Sequence, residues 1–100
     1  MRARRLRGRI EAMKDLPGGD LVSEGLSDLG SGKETIPALL VSIGAPRLRQ
    51  AGLEIPTTIA DPDHKLYRQL TELHGDDAHS RYNGYIRRLV SFERALECAR

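Results

Sequence analysis

Residues 36–43 read Ile36-Pro37-Ala38-Leu39-Leu40-Val41-Ser42-Ile43, and Ser42 is the only polar side chain among them. A helix that is apolar on nearly all sides is one that other elements bury. Thr35 stands where an N-cap is needed. Pro37 is tolerated in a first turn, where backbone N–H groups lack helical partners anyway. The pattern therefore predicts a buried central helix over residues 35–44, ended or bent at Gly44, with the rest of the chain packed around it.

Just upstream, Gly30-Ser31-Gly32 closes a preceding helix, with Gly30 or Gly32 suited to a left-handed C′ position. That helix starts from Asp20 as N-cap. It sets Leu21, Val22, Gly25, Leu26 and Leu29 against a wet face of Ser23, Glu24, Ser27 and Asp28. Further back, Leu6, Ile10 and Met13 fall at i, i+4 and i+7, which predicts a helix over 3–16 stopped by Pro17-Gly18-Gly19. Residues 1–5 then form a flexible basic arm before a single helical domain over 6–100.

Downstream, Pro46 opens a short amphipathic turn carrying Arg47, Leu48, Arg49 and Leu53, closed by Gly52. Residues 54–60 have the composition of a strand, but no partner strand is visible and a lone strand cannot satisfy its backbone. They read as an extended crossover with Ile55 and Ile59 tucked against the core. Asp61-Pro62 marks a helix start, with Leu66, Tyr67, Leu70 and Leu73 facing inward and Gly75 at its end.

Asp76 or Asp77 then caps the longest element, about 77–98. There Tyr82, Tyr85, Leu89, Phe92 and Leu96 recur at alternating spacings of three and four. The short connection makes the last two helices an αα-hairpin. Gly84, in mid-helix, is compatible with a close approach, a kink or a later helix start. The expected fold is all-α, a small irregular bundle of about five helices.

A chain of 100 residues is one domain, and 39% apolar with 30% charged residues suits a globular protein and is too apolar for disorder. The single cysteine, Cys98, allows no internal disulfide and is expected to pack as a small apolar side chain beside the stripe of the last helix. A reducing compartment, the cytoplasm, is the expectation. No apolar run approaches the roughly 20 residues of a membrane span. Charge is unevenly spread around a net +2. Residues 1–9 carry five arginines and no acid, whereas residues 10–34 and 54–77 each set six acids against two bases, −4 apiece. Residues 78–100 set five arginines against two glutamates, +3.

Candidate chemistry is sparse. Gly30-Ser31-Gly32-Lys33 has some look of a phosphate loop. The pattern, however, needs Gly where Ser27 stands and Ser or Thr where Glu34 stands, and no strand precedes it. Residues 20–43 fit a helix-turn-helix in outline, but the second helix has almost no polar side chain to read a base edge. His74, Asp76, Asp77 and His79 are a possible metal set, since imidazole and carboxylate bind divalent cations; the same residues also suit a helix end, a turn and a cap. Arg2, Arg4, Arg5, Arg7 and Arg9 could attract phosphates, though no aromatic lies among them to stack a base.

No catalytic grouping and no cofactor motif stands out. The expected function is a non-catalytic interaction module acting through a protein partner or through self-association, with Tyr82, Tyr85, Leu89, Phe92 and Leu96 as its contact surface. The alternative is a nucleic-acid-associated protein using the arginine-rich segments, and the third reading is a metal-dependent enzyme.

Overall fold

The computed structural model describes residues 15–98. Their regular structure is all helical: α1 (Gly19–Gly30), α2 (Ile36–Gln50), α3 (Pro62–His74), a 3-10 turn (Gly75–Asp77) and α4 (Ala78–Cys98). The expected five helices thus come to four α-helices and one 3-10 turn among the described residues. The helix expected over 3–16, the arm at 1–5 and its arginines lie outside them.

α2 packs against each of the other three helices. Its Ala38, Leu39, Leu40, Val41, Ala45 and Leu48 are fully or almost fully buried. The Thr35 hydroxyl accepts the Ala38 N–H at 3.3 Å and donates to Asp28 Oδ2 at 2.6 Å, so the cap also ties α2 to the end of α1. The expected end at Gly44 is corrected: α2 continues through Gly44 and Pro46 to Gln50. An interior proline costs about 3 kcal/mol in isolation. Here Ala45 and Leu48 are buried and Arg47 is tied to α4, so tertiary contacts hold the last turns helical. Gly44 is needed for another reason. A Cβ there would lie 3.0 Å from both Leu89 Cδ1 and Glu93 Oε2, so the glycine lets α4 come close.

Both α1 and α2 end in the same way. Gly32 donates its N–H to the Leu29 carbonyl and Lys33 to the Asp28 carbonyl; Gly52 donates to Arg49 and Leu53 to Leu48. These are the paired bonds of a Schellman turn, with glycines at φ 73 and 104 where a side chain would be strained. The Gly30–Lys33 stretch is therefore a helix stop. Three expected side-chain caps are corrected. Gly18, at φ 74, is the N-cap of α1, and Asp20 instead sits in the first turn and pairs with Arg88 at 3.3 Å. Asp61 holds the N-cap place of α3 with φ 50, and its side chain makes no cap bond. Neither Asp76 nor Asp77 caps through its side chain; α4 follows directly from the 3-10 turn, and Asp77 accepts from Arg81.

Residues 53–60 form no strand, and α2 supplies what their backbone lacks. The Ser42 hydroxyl donates to the Ala38 carbonyl at 2.9 Å and accepts the Ile59 N–H at 3.0 Å. The Arg49 guanidinium donates twice to the Ile55 carbonyl, at 3.0 and 2.5 Å. Ile55 is buried and Ile59 half-buried against the core. Ser42→Ala is expected to cost about 1–3 kcal/mol, because it leaves the part-buried Ile59 N–H without its acceptor. Denaturant unfolding measures this; a cost near zero would mean that the hydroxyl does not hold the crossover.

Candidate functional site

The four candidate metal residues do not converge. His74, Asp76, Asp77 and His79 are all exposed. Asp77 Oδ2 accepts from Arg81 Nε at 3.0 Å, and the His79 ring leans on Tyr67, centroids 6.4 Å apart. Among the described residues no group of three or more His, Cys, Asp or Glu side chains is placed to hold a metal ion.

The stripe of α4 divides along its length. Leu89, Phe92 and Leu96 are core residues, Phe92 with no exposed surface at all, so these three are corrected from contact surface to interior. Tyr82, Tyr85 and Ile86, nearer the hairpin end, are half-buried. Across from them two side chains expected to face inward do not. Leu66 and Leu70 are fully buried, but Tyr67 is 41% and Leu73 65% exposed. Leu73 continues the Leu66–Leu70 spacing and yet no element covers it. Tyr67 packs its ring against Tyr82, centroids 5.6 Å apart and tilted by 57°. Burial, with Asp63 nearby, raises the pKa of the Tyr82 hydroxyl. The hairpin therefore shows two exposed large side chains on α3, Leu73 near its end and Tyr67, the latter packed against Tyr82. Cys98 is exposed, a correction to its expected packing, because it lies off the stripe.

A charged cluster that the sequence reading missed bridges α2 and α4. Arg47 reaches Glu93 at 3.5 Å and Glu97 at 2.5 Å. Glu93 is only 5% exposed, its carboxylate set over Gly44. The available signal was the spacing of Glu93 and Glu97: like charges at i and i+4 repel unless a cation lies between them. Burial raises the Glu93 pKa; Arg47 opposes the rise and Glu97 adds to it. The Arg47 pKa is raised too, chiefly by its hydrogen bond to Glu97.

A carboxyl whose pKa is higher in the folded state takes its proton before the unfolded chain does. As pH falls from neutral toward 4.5, the ordinary value, Glu93 makes the fold more stable; at neutral pH its charge is a cost. Glu93→Gln is expected to match or exceed wild type in melting temperature at neutral pH, with its advantage shrinking as pH falls through the Glu93 pKa. A variant that is less stable at neutral pH and regains parity in acid would reverse the sign and show that the Arg47 pair outweighs burial.

The arginines of α4 divide as well. Arg81 and Arg88 are paired with Asp77 and Asp20. Arg87 and Arg94 are exposed and make no ion pair among the described residues. No helix among the described residues is long and apolar enough to cross a membrane. Compared with protein-family models, curated proteins and solved structures, the chain matches none of them.

Proposed function

We propose that the protein is a non-catalytic helical interaction module, built as a bundle around α2, that meets a protein partner or a second copy of itself through the end of the α3–α4 hairpin. The observation that carries this reading is the pair of exposed large side chains on α3, Leu73 at 65% and Tyr67 at 41%, with Tyr67 packed against the half-buried Tyr82. A leucine left about two-thirds in water on the line of a core stripe forgoes roughly 1–2 kcal/mol of burial that a partner could recover. Aromatic side chains such as Tyr67 are the type enriched at contact centres. The alternative based on Arg2, Arg4, Arg5, Arg7 and Arg9 concerns residues outside the described part.

Solution mass by light scattering across a concentration series, for wild type and Leu73→Asp, tests the proposal. Self-association in wild type that Leu73→Asp abolishes supports it. A wild-type mass fixed at 11.1 kDa leaves the protein-partner form. That form stands only if a binder captured by wild type is lost with Leu73→Asp while the variant melts as wild type does.

A further inference from the structure

α4 has a second face that the hairpin contact does not use. At 100° per residue, Ser80, Asn83, Gly84, Arg87, Ser91 and Arg94 fall within about a third of its circumference, opposite Leu89, Phe92 and Leu96. All six are exposed, and none is acidic. The only carboxylates of α4 are Glu93, buried, and Glu97, both held by Arg47. The arginines bordering the face, Arg81 and Arg88, already have carboxylate partners, so Arg87 and Arg94 are its uncompensated charges among the described residues.

Gly84 supplies an independent observation. A glycine inside a helix costs roughly 1 kcal/mol relative to alanine. A Cβ at Gly84 would meet nothing within 4 Å, unlike one at Gly18, Gly25 or Gly44. Among the described residues nothing requires the missing side chain, so the helix surface at Gly84 is open. With Ser80 and Ser91, Gly84 keeps the ground beside the two arginines low.

We infer that this outward face of α4 docks on the phosphate backbone of nucleic acid through Arg87 and Arg94, with the small residues admitting the backbone close to the helix. The chemistry favours this occupant. Guanidinium groups offer forked donors that match phosphate oxygens, and Ser80, Asn83 and Ser91 add neutral donors. Arg87 and Arg94 are separated by about 10.5 Å along the helix axis, so the two can meet different phosphates. The face has no large apolar side chain to anchor a protein hot spot or to enter a lipid layer. The inference does not depend on the hairpin-end contact.

The test is fluorescence anisotropy of a short labelled duplex DNA and a single-stranded RNA, titrated with the full chain from about 50 to 200 mM salt, the range over which phosphate contacts weaken steeply. Wild type is expected to bind at the low end with affinity falling linearly on a log–log salt plot. The double variant Arg87→Ser/Arg94→Ser is expected to bind at least about tenfold more weakly at low salt, with a salt slope flatter by roughly two phosphate contacts. Gly84→Leu is expected to melt at a higher temperature than wild type and yet bind more weakly, a combination that a purely structural role for Gly84 does not produce.

Failure of wild type to bind either nucleic acid at about 50 mM salt, where phosphate contacts are strong, overturns the inference. So does an unchanged affinity and slope in the double variant, which would assign binding to residues 2–9. Tighter Arg87- and Arg94-dependent binding to phosphatidylserine–phosphatidylcholine vesicles, or to polyglutamate, than to nucleic acid would also overturn it, in favour of a membrane or an acidic protein.

Discussion

Gly25→Val is expected to cost about 3 kcal/mol or more, at or beyond the upper end of ordinary overpacking. A Cβ at Gly25 would stand 2.3 Å from the Pro37 carbonyl oxygen and 2.5 Å from Val41 Cγ2. The first of these is backbone on a helix held in place by its cap and its neighbours, so no rotamer change relieves the clash. α1 would have to move away from α2, opening the contact around Val22 and Val41, both about fully buried. Valine adds two methyl groups to the offending carbon and makes the separation larger than alanine would.

Gly84→Ala is the matching control, also within a helix, and is expected to raise stability by roughly 1 kcal/mol because its new methyl meets nothing. Urea unfolding followed by circular dichroism measures both. A Gly25→Val protein with an unchanged midpoint would show that α1 and α2 do not approach so closely.

The same contrast marks what local sequence can and cannot convey. The run from Ile36 to Ile43 announces burial by itself, and Thr35 announces the start of the helix because caps are local chemistry. Gly44-Ala45-Pro46 carries the local signals of a helix end, yet Ala45 and Leu48 bury against other elements and Arg47 reaches α4, so α2 runs on. Asp20 and Asp61 stand in good positions for caps, but backbone conformation at Gly18 and at Asp61 itself sends their side chains elsewhere. Gly25 and Gly84 look alike in sequence; only the neighbouring helix distinguishes them.

The surfaces follow the same logic. Leu73 has the period of a core residue, and period does not say whether a neighbouring element covers it. Glu93 stands on a helix rich in charge and reads as solvated, but the space above Gly44 admits its carboxylate to the interior. Counting charge by segment gives residues 78–100 a net +3. Pairing then removes Arg81 and Arg88 from the free charge, and the fold turns Arg87 and Arg94 to one side. Sign and amount of charge are sequence properties, whereas which charges remain unpaired is a property of the packed molecule.

Leu39→Ala and Leu40→Ala are each expected to cost about 2–5 kcal/mol. The two residues are adjacent, so their side chains leave α2 about 100° apart and sample different directions around it. On a helix lying at the surface one such direction faces water, and one of the two substitutions is cheap. Here Leu39 has no exposed surface and Leu40 has 2%, so both directions lead into packed side chains and each truncation leaves a cavity. A domain of this size has roughly 5–10 kcal/mol of total stability, so the double variant is expected to lack a cooperative unfolding transition even without denaturant. Neighbouring sites can share relaxation, which would make the pair cost somewhat less than the sum. Thermal and urea unfolding of the two single variants decide the matter: a cost below about 0.5 kcal/mol for either one, the range of ordinary surface substitutions, would mean that α2 has an open side and is not the helix around which the others pack.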